Sequence, residues 1–410
     1  MINDVKEKWY QNVRRICNDY TKNALEEIGI PEEEFDKYFL KLENSKVENM
    51  DFSVEDKLFV ENFIKKTKGV KSERTRKILE IQREWTEQLK KCDEVELYII
   101  KSTVIIAGTC TGFVSNRIIR DVEFDYVIVD EAAKATFPEL AVSLNKAHKI
   151  ILVGDHQQLP PVLDTEIIRN NKEKLDEEGL AQGIFERMYN MFPEDNKHRL
   201  TIQYRMHPTI GTLISHVFYN DEIQNGVEAQ DRELCIEGYE GIAIEWISTS
   251  KYSTKERYEK EFDNNGKKSY QNYLERNIIE RKLLELDSKL VKRTKVAVIT
   301  GYGSQKYILQ TMVKQHSFKH IEVDVDTVDA FQGSQKDIIL YSTVRSSGNK
   351  YGIGFLKSEA RINVAFSRAR CLLIIVGDMK FLDNYKIRGN KFPEIIKYIT
   401  ESEGCRIIEK

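Results

Sequence analysis

Two adjacent carboxylates, Asp130 and Glu131, close an apolar run, Tyr126 to Val129, in the stretch FDYVIVDEAA (124–133). A short run rich in Val and Ile suits a fully buried strand of a parallel sheet. Acids at its C-terminal end then fall where open α/β sheets bind ligands. An Asp in that place can hold Mg²⁺, and an adjacent acid can activate water for attack on a γ-phosphate. The plainer reading is that both acids merely cap the next helix. Which applies depends on what else the chain supplies to a phosphate site.

Four further blocks carry chemistry-bearing residues. GDHQQLPP (154–161) puts Asp155 and Gln158 directly after another apolar run, and QYRMHP (203–208) puts Arg205 at a strand-to-helix junction. VDAFQGSQKD (328–337) sets Gln332 and Gly333 in a turn between two strands, and RINVAFSRAR (361–370) carries Arg361, Arg368 and Arg370. Singly, each has a structural explanation. Gln158 can bond a backbone group, the arginines can form surface ion pairs of little worth, and Gly333 can be the residue a turn requires.

Jointly, in this order and spacing, the blocks resemble superfamily 1 helicases of the senataxin and nonsense-mediated-decay helicase group, over roughly Tyr98 to Asp378. The resemblance implies an α/β fold of two RecA-like lobes with parallel sheets, ATP and Mg²⁺ as cofactors, and single-stranded DNA or RNA as partner, travelled 5′ to 3′. On matching positions, Asp130 would hold Mg²⁺ through water and Glu131 would be the general base. Gln158 would sense the γ-phosphate, and Arg205 and Arg368 would lie on it. Arginine donors on the transferred oxygens are worth about 10³-fold or more. Gln332, Gly333 and the following Gln335 match the turn that couples nucleotide to nucleic acid. Thr109, Tyr302, Gln305 and Thr327 match positions facing a sugar-phosphate backbone, contacts that position without reading sequence.

The chain departs from that pattern in three places. Gln335 stands where the family has Glu, and Gly301 where Pro is common before Tyr302. More consequentially, no G-x-x-x-x-G-K-[ST] occurs; KGVKS (68–72) and NGKKS (265–269) are the nearest look-alikes. That loop supplies the nest of N–H groups for phosphates, a Lys for the β/γ oxygens and a hydroxyl for Mg²⁺. The expectation is a helicase portion without its phosphate loop, inactive alone, with the loop on an upstream segment or chain. The competing expectation is an ATPase-dead module that binds nucleic acid or protein.

The elements that must position these residues follow from periodicity. Residues 1–95 are expected to be helical, resembling the family's insertion in the first lobe. Residues 96–197 are expected to form the rest of that lobe, which is incomplete, and 198–410 the second lobe. VIIAGT (104–109), the run at 124–130 and KIILVGD (149–155) are strand candidates. A helix between the last two is expected to start near Thr136 and Pro138. Another starts near Pro208, with Ile210, Leu213, Ile214, Val217 and Phe218 on one stripe, and a third runs through Leu274 to Leu290. Residues 225–270 look loop-rich apart from GIAIEWI (241–247). The runs at 295–300, 321–328, 337–344 and 371–378 are then four more strands.

A net charge of −3 leaves any nucleic-acid contact to local patches, such as the basic run from Lys65 to Lys77, otherwise a solvated helix face. Six scattered cysteines without a CxxC pair argue against a zinc site and for a reducing compartment. No apolar run reaches membrane-spanning length. The expected location is cytoplasmic.

Overall fold

The structure, a computed structural model, describes residues 93–161, 183–264, 267–331, 333–347 and 352–409, with Lys77, Ile81 and Glu84. Most of the expected N-terminal helical segment and its basic run therefore lies outside the described residues. Two compact units divide the chain: one takes in residues up to 127 with 138–150, the other 128–137 with 151–410. Every group of the candidate active site below belongs to the second.

β1 (Phe124–Val129), α1 (Phe137–Leu144) and β2 (Ala147–Leu152) follow the expected order, and the two strands form a two-stranded sheet. Two expectations fail here. VIIAGT forms no strand: helices Asp93–Ser102 and Cys110–Ser115 flank it, and Val104 and Ile105 are exposed. Nor is β1 fully buried. Val129 is buried, but Tyr126 and Ile128 are 54% and 66% exposed. An apolar strand is buried only when neighbouring layers cover it, and among the described residues this sheet has two strands. Next, α2 (Ile184–Met191) lays the Phe185 ring beside Gly154; a Cβ there would come within 2.8 Å of Ala133 N. Glycine is thus what lets β2 run this close to the turn after β1.

The main sheet is built largely from strands separated by helices. α3 (Pro208–Phe218) precedes β3 (Ile244–Ser248). After β3 come α4 (Tyr273–Lys289), β4 (Thr294–Thr300), α5 (Gly303–Val313), β5 (Ile321–Thr327) and β6 (Lys336–Ser342). The unit ends with α6 (Glu359–Phe366), β7 (Ala369–Gly377), α7 (Phe392–Glu401) and β8 (Cys405–Glu409). The strands make one six-stranded sheet in the order β8-β3-β7-β6-β4-β5, parallel throughout. Along β4, β6 and β7, Ala297, Ile299, Ile339, Tyr341, Leu373 and Ile375 enter one core; the intervening Val296, Val298, Ile338, Leu340, Leu372 and Ile374 enter another. Successive side chains of a strand point to opposite faces. Helices α3, α6 and α7 supply the first core, and α4 and α5 the second. A parallel sheet covered on both faces is the expected α/β class.

Residues 225–270 are less irregular than expected. Lys260–Asn264 and Lys267–Gln271 pair as an antiparallel hairpin. Of the look-alike NGKKS, Lys267 to Ser269 lie in the second strand of this pair. Phe262 and Tyr270 are the only large apolar residues from Lys260 to Gln271, so no apolar run marks this pair.

One buried acid ties the start of α4 to the end of β6. Asn272 caps α4 by accepting from Glu275 N at 3.0 Å. The fully buried Glu275 carboxyl accepts from Ser342 Oγ at 2.6 Å, Thr343 Oγ1 at 3.1 Å and Val344 N at 2.9 Å. Val344 is held at φ 70, a conformation that a β-branched residue rarely adopts. Burial pushes the Glu275 carboxyl up to about 8, against the pull of these donors. An unfolded chain releases that proton near pH 4.5, whereas the folded one holds it to about pH 8. Stability should accordingly fall as pH rises through that window, by up to roughly 1.4 kcal/mol per unit from this group. Urea unfolding of wild type and Glu275→Gln across the window reads the effect: the variant gains on wild type as pH rises. A constant difference would show that Glu275 ionises alike in both states.

Candidate active site

Glu131 occupies the turn after β1 in the left-handed region, at φ 54 and ψ 35. Two backbone bonds stitch that turn to the end of β2: Val153 N to Val129 O and Ala132 N to Val153 O, both 2.8 Å. Asp130 Oδ1 accepts from Glu131 N at 2.9 Å, which steadies the strained peptide. Both carboxylates face solvent, and Lys134 pairs with Glu131 at 3.2 Å. A non-glycine residue in this conformation persists where surrounding bonds over-determine it, often at functional sites.

The loop after β2 is organised by Asp155. Its Oδ1 accepts from Gln157 N at 2.9 Å, and its Oδ2 from Gln158 Nε2 at 2.9 Å and Tyr219 Oη at 2.5 Å. Gln158 Oε1 in turn accepts from Arg368 Nη2 at 2.9 Å. Asn363, on α6, donates to Gln157 O and to Tyr219 Oη.

Arg205 lies in a loop clamped from several sides. Gln203 Oε1 accepts from Arg205 N at 2.9 Å and Met206 N at 2.8 Å, while Arg232 donates to the carbonyls of Arg205 and Tyr204 at 2.8 and 2.7 Å. His207 then caps α3, its Nδ1 accepting from Thr209 N, with Pro208 in the first turn. Burial holds the His207 pKa below its ordinary value, which keeps that nitrogen an acceptor.

Both arginines grip the C-terminal end of α6. Arg368 Nε donates to Val364 O at 3.1 Å and Arg205 Nη1 to Ser367 O at 3.2 Å. Carbonyls there carry the negative end of the helix dipole, a favourable place for cations. Of the arginines in RINVAFSRAR, Arg361 pairs with Asp329 and Arg370 with Asp337. Arg368, only 2% exposed, has no carboxylate partner among the described residues, and neither has Arg205. Burial and then repulsion by Arg205 push Arg368 down to about 10; Glu131, Tyr219 and Asp155 pull the other way. Arg205 is lowered chiefly by burial, with Glu131 again opposing. Two desolvated guanidiniums near one carboxylate make a site for an anion.

The other expected site residues are dispersed. Gln332 lies outside the described residues. Gly333, at φ 79, is the turn residue its position demands, and Gln335 is exposed beside it. Thr109 is exposed and caps the helix Cys110–Ser115 by accepting from Gly112 N at 3.0 Å. Tyr302 is buried between the rings of Tyr270 and Phe355, with burial raising its hydroxyl to about 12. Gln305 is fully buried: Oε1 accepts from Asn272 N, and Nε2 donates to Asn272 O and Ser342 Oγ. Thr327 ends β5, half-buried. Sequence reasoning named Asp155 without giving it a role and missed Tyr219 and Asn363. Asn363 lies inside RINVAFSRAR, which was the available signal; Tyr219 follows an apolar helix and had none.

Two family models, each described as an AAA domain, match the chain over residues 3–166 and 180–380. A regulator of nonsense transcripts 1 homolog from Neurospora crassa is 34% identical over 72% of this chain and 26% of that protein. The ATP-dependent helicase NAM7 of Saccharomyces cerevisiae is 33% identical over 78% of this chain and 31% of its own length. An uncharacterised ATP-dependent helicase of Methanocaldococcus jannaschii is 29% identical over 83% of this chain and 48% of its own. The chain thus spans less than half the length of each of these relatives. Among solved structures, a PRRSV helicase is similar at 17% identity with a TM-score of 0.30, over 61% of this chain and 34% of that one.

A buried cation without a counter-ion weakens the fold that holds it. Arg368→Met, which keeps an unbranched apolar stem and removes the charge, is expected to raise stability by about 1–3 kcal/mol in denaturant unfolding. A large loss instead would mean that the Gln158 and Val364 bonds outweigh the buried charge.

Proposed function

The chain belongs to the superfamily 1 helicases of the nonsense-mediated-decay type, and on that premise we propose that it carries the hydrolytic side of an ATP-driven nucleic-acid motor. The observation that carries this reading is the convergence of half-buried Arg205 and buried Arg368, neither with a carboxylate partner among the described residues, with Gln158 and within the electrostatic reach of Glu131. Phosphoryl transfer spreads negative charge over the transferred oxygens, and fixed guanidiniums that need no reorganisation are the donors that stabilise it. Glu131, exposed and ionisable, takes the proton of the attacking water. Gln158 links that site to the loop after β2.

Asp130 fits a magnesium ion. Its carboxylate is exposed at a strand end, and among the described residues no cluster of three or more His, Cys, Asp or Glu cages a metal. Mg²⁺ typically binds through one or two carboxylates, with water and phosphate completing its shell. When bound, the ion would neutralise charge developing between the β- and γ-phosphates.

The finer reading keeps the expected division into a helical insertion (1–95), a first lobe (96–197) and a second lobe (198–410). The partner is single-stranded DNA or RNA, held through its backbone, with movement 5′ to 3′. The phosphate-binding loop comes from an upstream segment or chain, because no stretch of these 410 residues supplies it. The described cysteines are free thiols and no described helix is long and apolar enough to cross a membrane, in keeping with a cytoplasmic protein.

Alone, the chain should release phosphate from ATP at background rate even with single-stranded nucleic acid. Robust turnover that Glu131→Gln abolishes would show that the phosphates are cradled without the loop. Binding to a fluorescent oligonucleotide should weaken steeply as salt rises, since phosphate contacts release counterions. An affinity indifferent to salt counts against a backbone-tracking surface.

A further inference from the structure

Behind Gln158, side chains from three segments close a continuous chain of hydrogen bonds. Tyr219, following α3, donates to Asp155 Oδ2 at 2.5 Å and accepts from Asn363 Nδ2 at 2.8 Å. Asn363 Nδ2 also donates to Gln157 O at 3.0 Å, so the amide of this fully buried residue is fixed by two acceptors. Burial and the neighbouring Asp155 charge hold the Tyr219 hydroxyl above the ordinary tyrosine range, which keeps it a donor.

The consequence falls on the orientation of one amide. An ionised carboxylate only accepts hydrogen bonds, and an amide offers a donor on one side and an acceptor on the other. With Asp155 held in place, Gln158 turns Nε2 toward it at 2.9 Å and Oε1 toward Arg368 Nη2, also at 2.9 Å. Reversed, the amide would set its NH₂ against a guanidinium, donor against donor. The remaining Arg368 contact, Nε to Val364 O, ties the side chain to the end of α6 and leaves Nη2 on Gln158. That neutral oxygen is a weaker acceptor than an anionic one.

We propose that Tyr219 and Asn363 are positioning residues of the anion site: through Asp155 they fix the Gln158 amide so that its oxygen holds, at Arg368 Nη2, the place a phosphate oxygen takes. Gln158 is then a displaceable stand-in that keeps the guanidinium extended and ready while no phosphate is bound. The proposal rests on the phosphate reading of Arg205 and Arg368 and adds how the empty site is kept in order.

The test uses the full chain and inorganic tripolyphosphate, with affinity read by calorimetric titration. Tyr219→Phe removes one hydroxyl and preserves shape, and should weaken binding by about three- to tenfold, the range of a single buried hydrogen bond. Asp155→Asn, a second variant that lets the Gln158 amide turn, should weaken it as well. In a Gln158→Ala background, Tyr219→Phe should cost nothing more, because its effect passes through Gln158. A loss that persists in that background marks a merely structural tyrosine and overturns the proposal. Wild-type affinity in both Tyr219→Phe and Asp155→Asn, where Arg368→Ala has lost binding, overturns it while leaving the phosphate reading intact. If wild type binds no better than Arg205→Ala and Arg368→Ala, the phosphate reading falls and the proposal with it.

Discussion

Two guanidiniums at the end of one helix, Arg368 buried and Arg205 half-buried, with no carboxylate partner for either among the described residues, are the constraint that the rest of the site answers. Such a pair is unfavourable in itself, since burial and mutual repulsion both act against charge. The fold accommodates it by presenting the carbonyls of Val364 and Ser367 at the end of α6, and by leaving Glu131 near enough to be felt. A protein selected only for stability would do better with apolar side chains there. In the function proposed above, a transferred phosphate would supply the missing counter-charge.

Holding the pair in place takes more structure than the pair itself. Gln203 and Arg232 fix the backbone around Arg205 by bonding the peptide groups that no helix or strand would satisfy. His207 and Pro208 then start α3 at once, which anchors the loop to the core through Ile210, Leu213 and Ile214. Arg368 is fixed by chain geometry, standing between the end of α6 and the start of β7. The parallel sheet gives both segments a rigid base, because its strands alternate into two separate cores. Glu131 makes a different compromise: its left-handed backbone is held by bonds from Asp130 and β2.

What the sequence determined by itself is what depends on local chemistry. Short apolar runs located five of the six strands of the main sheet, and the stripe from Ile210 to Phe218 located α3. The order of DEAA, GDHQQLPP, QYRMHP, VDAFQGSQKD and RINVAFSRAR indicated a phosphate chemistry and the family to which the chain belongs. These features are legible because periodicity follows from the geometry of a single element, and a motif from the chemistry of a single loop.

Only the tertiary structure decided which charges are paired and which strands are covered. Arg361, Arg368 and Arg370 stand within ten residues, yet two face carboxylates and one does not; the partners, Asp329, Asp337 and Gln158, come from distant segments. Ile128 reads as core by type and is 66% exposed, because burial belongs to the neighbouring layers and not to the strand. Tyr219 and Asn363, 144 residues apart, meet over Asp155 with no local pattern to announce them. Hydrogen bonds between distant segments are fixed by packing, and packing is a property of the whole chain that no window of sequence contains.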